Sequence, residues 1–89
     1  MYAFIQFFTN YEFACVNNVR DEKLLIRFGL HLKAQREKKK FSQEALANEA
    51  GIPISQIGRI ERGEVNPTLS TLQALANALK MPLRELVSF

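Results

Sequence analysis

Two arginines three residues apart, Arg59 and Arg62, are the side chains of this 89-residue sequence best equipped for chemistry. That chemistry is recognition. A guanidinium stays charged at any physiological pH and offers a planar fork of donors to paired acceptors. Ser55 and Gln56 stand just before them, and Gln43 stands further back, each able to hydrogen-bond a polar partner. Residues suited to covalent or acid–base work are scarce. The single histidine, His31, and the single cysteine, Cys15, lie far apart with no nucleophile motif around either. The sequence contains no metal-ligand cluster, no phosphate-cradling glycine loop and no dinucleotide fingerprint. The expectation is a non-enzymatic protein that uses no cofactor and no metal. His31 is expected at the surface or half-buried, and Cys15 as a small apolar residue.

The charge distribution sharpens the choice of partner. The formal net charge is +3, and all twelve Lys and Arg lie between Arg20 and Arg84, whereas residues 1–19 carry only Glu12. A basic domain favours a polyanion, although a small excess is weak support by itself. With 47% hydrophobic and 24% charged residues the chain reads as globular. Its length fits one small domain and leaves no room for a separate sensor domain. One thiol makes no internal disulfide, so a reducing, cytoplasmic setting is expected. The N-terminus has no basic signal-peptide region, and Gln6, Thr9, Asn10 and Glu12 interrupt its apolar run. That run falls short of the roughly 20 apolar residues of a membrane span.

Several short helices must position the polar residues. Asp21 and Glu22 open the first, whose apolar stripe is Leu25, Phe28 and Leu32 and which runs to about Lys38. Acidic residues at its start and lysines at its end both suit the helix dipole. Lys23, Arg27, Lys33, Lys38 and Lys39 fall on its other face, and the run Lys38-Lys39-Lys40 reads first as a solvated helix end. Ser42 is the N-cap of a second helix that Gly51 ends. A third starts near Pro53 or Ile54, runs to Arg62 and stops at Gly63. Thr68 or Ser70 caps a fourth, with Leu69, Leu72, Leu75, Ala76 and Leu79 as its stripe. Pro82 suits the first position of a short fifth helix through Leu86.

The second and third of these helices, joined by a tight glycine turn, need a small residue where they approach. Ala47 supplies it, and Ile57 is the matching apolar contact. At 100° per residue, Ile54, Ser55, Gly58, Arg59 and Arg62 share an arc of about 140°. Ile57 and Ile60 point the other way, into the core. A narrow polar face with two arginines fits the major groove of duplex DNA, where side chains meet base edges. Arg59 is the leading base-reading candidate, since a guanidinium pairs with guanine O6 and N7 for roughly 1–3 kcal/mol of discrimination. Ser55 and Gln56 can each bond a base or a phosphate, and Ile54 can meet a thymine methyl group. Gly58, lacking a side chain, is expected to let the backbone approach DNA.

The stretch Ser42 to Gly63, SQEALANEAGIPISQIGRIERG, resembles the phage-repressor (Xre/Cro-type) helix-turn-helix family. The resemblance rests on Ser42-Gln43-Glu44, Ala47, Gly51, Ile57, Arg59-Ile60-Glu61-Arg62-Gly63, and Asn66-Pro67 before a Leu-rich helix. It spans Leu25 to Leu86, about two thirds of the chain. Ile54 departs from the polar residue usual in the family, and Pro53 from the usual Ser or Thr cap. The resemblance implies an all-α, five-helix, lambda-repressor-like domain that binds double-stranded DNA through its third helix, usually as a dimer on a near-palindromic site. It assigns Gln43 to a phosphate, and Arg62 and Asn66 to the other phosphate run, contacts that set register rather than sequence. It makes Arg36 and Glu61 an internal ion pair between the first and third helices. The expected role is transcriptional regulation, as a repressor and homodimer. Small members include controllers of restriction–modification operons and antitoxins, so a toxin partner is an alternative. A protein-interaction module with the same fold is another.

Residues 1–19 form a hydrophobic extension ahead of the helical domain at 20–89, and hold six of the nine aromatic residues. Their spacing fits two short strands around Thr9-Asn10 as well as a helical stripe, and aromatic content tips the expectation to strand. Without Lys or Arg this extension is a poor candidate for contacting DNA. It reads as a dimer interface, a flap packed on the same domain or a peptide with no function of its own, and burial across a dimer is favoured because so many exposed aromatics would aggregate.

Overall fold

The computed structural model describes residues 19–89, so the expected strands and dimer burial of the N-terminal extension lie outside the described residues. Five α-helices follow one another, with no strand among the described residues: α1 Glu22–Lys38, α2 Gln43–Ala50, α3 Ile54–Glu61, α4 Leu69–Ala78 and α5 Leu83–Leu86. The all-α, five-helix expectation is met.

Local chemistry sets the helix starts. Asp21, Ser42 and Thr68 each stand in extended backbone and accept a hydrogen bond from the amide of the third helical residue, on Leu24, Ala45 and Thr71 at 3.1, 3.0 and 3.2 Å. Each occupies an amide that would otherwise lack a partner. Thr68, not Ser70, is the cap of α4. Pro53 and Pro82 have no capping side chain. Pro82 stands one position earlier than expected, as the cap itself, because its extended ψ of 150° keeps it out of the helix. Its carbonyl still accepts from Glu85 and Leu86.

The first four helices end alike. Phe41, Ile52, Glu64 and Met81 each donate a backbone N–H to a carbonyl five residues earlier, at 2.9–3.0 Å. This Schellman geometry needs a left-handed residue just before the donor. Gly51 and Gly63 fill that place with φ of 71° and 74°, as their type allows. Lys40 and Lys80 fill it with φ of 63° and 56°, against the usual preference of residues bearing a Cβ.

The core lies between α1, the α2–α3 pair and the α4–α5 pair. Leu32, Leu46, Ile57, Ile60, Leu75, Leu79 and Leu86 are fully buried in it. Burial of such side chains contributes roughly 1.5–3 kcal/mol each before entropy is counted. Leu46 and Ala47 seat α2 against the rest, and Ile57 and Ile60 seat α3. α3 packs on both α1 and α2, which fixes its roll about its own axis. The α1–α3 crossing is close because of Gly29. A Cβ built there would lie 2.6 Å from the carbonyl oxygen of Ile60, and nearer still to that of Glu61. His31 is half-buried, stacked on Phe89 at 5.5 Å between ring centroids, and its Nε2 has no hydrogen-bond partner among the described residues. No described helix is long and apolar enough to cross a membrane.

Candidate nucleic-acid interface

α3 presents two opposite characters within eight residues. Ile57, Ile60 and Glu61 are turned inward. Ile54, Ser55 and Arg59 are exposed, and Gln56 is half-buried at the flank. The Arg59 side chain is 55% exposed and makes no hydrogen bond among the described residues, its nearest charged partner being Glu64 at 3.9 Å. It stands on the open face of a helix whose far side is locked into the core, the disposition that inserting a helix into a groove requires.

Beneath that helix lies a network of three side chains and one backbone carbonyl. Arg36, from the last turn of α1, donates from Nε to Glu61 Oε2 at 2.6 Å and from Nη2 to Oε1 at 3.2 Å. Its Nη1 donates to the Phe41 carbonyl at 2.9 Å. The pair is buried, with side-chain exposures of 10% and 4%. The hydrogen bonds it donates to Glu61 raise the already high pKa of the Arg36 guanidinium, so Arg36 stays charged. Gln43, the first residue of α2, donates from Nε2 to Glu61 Oε1 at 2.9 Å. Glu61 therefore ties α1, α2 and α3 together at one carboxylate. This ion pair is the one the family resemblance implies. The bond to Gln43 was not foreseen, because Gln43 and Glu61 are 18 residues apart with no local pattern linking them.

Gln43 and Arg62 meet over Gly58. A Cβ on Gly58 would lie 3.0 Å from Arg62 Nη1 and 3.8 Å from Gln43 Oε1. This corrects the expectation that Gly58 bares its backbone for DNA: Gly58 is buried, and its missing side chain makes room for the Arg62 guanidinium lying across the helix. The same cleft, of about 460 Å³, is lined by Ile26, Leu30 and Lys33 of α1. Besides Arg36, which is bonded to Glu61, Lys33 is the basic residue of α1 that shares this cleft with Arg62. On sequence it was one of five basic residues of an exposed face, and only the α1–α3 crossing singles it out.

Asn66 does not join this cleft. Its Nδ2 donates to the Val19 carbonyl at 3.3 Å, where the chain enters α1, and it borders a separate apolar groove with Leu24, Phe28 and Phe89. Arg62 donates to Glu64, an acceptor that sequence reasoning missed: Nε to Oε2 is 2.6 Å and Nη2 to Oε1 is 3.4 Å. The described residues contain no group of His, Cys, Asp or Glu placed to hold a metal ion.

A solvent-facing arginine on the second helix of a locked helix pair, with polar groups grouped at the helix ends, defines a helix-turn-helix domain. The helix-turn-helix family model matches residues 32–86, and the chain belongs to that family, in its phage-repressor (Xre-type) branch. The chain is 41% identical over 59 residues to the immunity repressor protein of Bacillus phage phi105, covering 66% of this chain and 41% of the phage protein. It is 40% identical over 58 residues to the control protein C.SmaI of Serratia marcescens, covering 65% and 69%. The chain thus spans under half the length of the phage repressor. Among solved structures, the restriction-modification controller protein C.AhdI of Aeromonas hydrophila superposes with a TM-score of 0.69 at 42% identity, over 70% of this chain and 94% of that one. The controller C.Esp1396I superposes with a TM-score of 0.68 at 26% identity.

Proposed function

We propose that this chain is a DNA-binding transcriptional regulator, a repressor that acts in the cytoplasm as a homodimer on a two-half-site duplex sequence. The observation that carries this reading is the exposure of Arg59 on a helix whose opposite side, Ile57 and Ile60, is fixed in the core. Repressor and controller relatives support the regulatory role. The dimer rests on a physical argument. One helix reads only a few base pairs, and a mismatch costs about 1–3 kcal/mol, too little to distinguish one site in a genome without a second half-site.

In the bound state Arg59 pairs with a guanine, and Ser55 and Gln56 bond base edges or nearby phosphates. Ile54, half exposed, packs on a thymine methyl group. Gln43 and Arg62 take phosphates on either side of the groove. Asn66 takes one with the second hydrogen of its amide, the first being engaged by Val19.

Selection of bound duplexes from a random pool tests the reading, with the wild type run beside Arg59→Ala. The wild type should enrich a motif of two half-sites, and the variant should relax it at one position in each. A wild type that enriches nothing at low salt overturns the proposal. Sedimentation should show a dimer at the concentrations where the motif is bound.

A further inference from the structure

Glu64 faces both arginines to which DNA contact is assigned. It follows Arg62 by two residues, a spacing that would turn the two apart on a helix. The left-handed Gly63, with φ of 74°, folds the chain back and brings them together. The Glu64 carboxylate accepts from Arg62 Nε at 2.6 Å, and Arg59 Nε is 3.9 Å from its Oε1. Its backbone is held too, since the Glu64 carbonyl accepts from Arg20 Nη2 at 3.0 Å. The side chain is 48% exposed, so a competing anion has access to it. Arg62 holds the Glu64 carboxyl below the ordinary glutamate range, and Arg59 adds to the effect, so the group is an anion at neutral pH.

We propose that Glu64 is a built-in competitor for the DNA backbone: its carboxylate occupies the donor edge of Arg62 in the free protein and gives way to a phosphate oxygen when DNA binds. This rests on the reading of α3 as the DNA face. A carboxylate and a phosphate make the same charge-assisted, bidentate bonds to a guanidinium, so one replaces the other on the same donors. The exchange at Arg62 takes nothing from the base edges, since Arg59, 3.9 Å from Glu64, makes no hydrogen bond to it. Glu64 therefore weakens binding to any duplex while leaving the preferred sequence unchanged. Its effect is proportionally greatest on non-specific binding, which is almost wholly electrostatic.

The test compares wild type and Glu64→Gln on the selected duplex and on a random duplex of equal length, across a salt series. In the wild type the freed Glu64 carboxylate draws a cation back and offsets one released from the phosphate, whereas the amide of Glu64→Gln draws none, so the variant should steepen the log–log salt slope by about 0.9. The variant should bind both duplexes about eightfold more tightly at 0.1 M salt than the wild type does, with the gain fading towards 1 M, as that slope requires. Glu64→Asp keeps the charge and should stay close to the wild-type slope. The gain should disappear when Arg62→Gln is added, since Arg62 is the residue released. Equal or weaker binding by a folded Glu64→Gln overturns the inference, because Glu64 would then be idle or would be orienting Arg62 for its target. If the wild type itself binds neither duplex, the DNA-face reading fails instead.

Discussion

Gln43 and Glu61 are joined across two helices by a 2.9 Å hydrogen bond, and the oxygen that accepts it also accepts from Arg36. The first residue of α2 is therefore oriented by a carboxylate of α3 that α1 holds in place. Stability and the placement of Gln43 share one buried charge. Arg36→Met should leave Glu61 buried and unpaired and remove the bond to the Phe41 carbonyl. The expected loss is about 3–5 kcal/mol, because stranding one partner of a buried pair costs more than the pair contributes. Urea unfolding followed by circular dichroism would show it, and a loss below about 1 kcal/mol would mean that water solvates Glu61.

Gly29→Ala should destabilise the domain although alanine is the better helix former. The atoms its Cβ would meet are backbone carbonyl oxygens of Ile60 and Glu61, which move only if α3 moves. The expected net cost is about 1–3 kcal/mol. The midpoint of denaturation should fall at an unchanged slope, and amide shifts in α3 should change throughout.

Gly58→Ala should act in the opposite sense. The atom 3.0 Å from the new Cβ is Arg62 Nη1, the far end of a flexible side chain. Helix propensity then favours alanine by about 1 kcal/mol, which for a domain of this size is a rise in Tm of about 4–8 °C. The displaced guanidinium should shift its side-chain NMR signals, and a fall in Tm would show that Arg62 cannot yield.

Lys80→Gly should stabilise the domain by about 1 kcal/mol, since Lys80 holds φ of 56° just after α4 and glycine meets no Cβ penalty there. Differential scanning calorimetry would record it. An unchanged Tm would mean that the greater freedom of glycine in the unfolded chain cancels the gain.

The link between Glu64 and Arg62 has a pH dependence of definite sign. The folded-state pKa of Glu64 is lowered, first by the hydrogen bond from Arg62. Its stabilising contribution is therefore present above the unfolded-chain value, about 4.3, and is lost as pH falls through the lower folded value. The carboxyl carbon resonance of Glu64 should titrate below that ordinary value in the wild type and move up towards it in Arg62→Gln. A wild-type midpoint at the ordinary value would show that the pair does not persist in solution.

Much of this architecture is legible in the sequence because it is local. Ser42 and Gly51 bracket α2 by side-chain chemistry that operates within four residues. Ile57 and Ile60, three apart, lie on one side of α3, as helical geometry requires. The features that escaped notice depend on chain reversal or on helices crossing. Gly29 looks like a weak point in a helix until α3 lies against it. Glu64 looks like a neighbour of Arg62 too close in sequence to face it, until Gly63 turns the chain. Lys40 and Lys80 end helices in a conformation that points to glycine, so the residue types there give no sign of it. Asn66 matches its family position, yet it is engaged by Val19, a contact 47 residues distant.

The interleaving of buried and exposed residues on α3 has an evolutionary consequence. Ile57, Ile60 and Glu61 hold the helix, while Ile54, Ser55 and Arg59 touch little of the protein. Substitutions at the second set leave the first undisturbed, so a lineage carrying this domain can change its target by a few exposed residues and inherit the scaffold intact. Divergence after gene duplication then proceeds through positions that selection on folding leaves free.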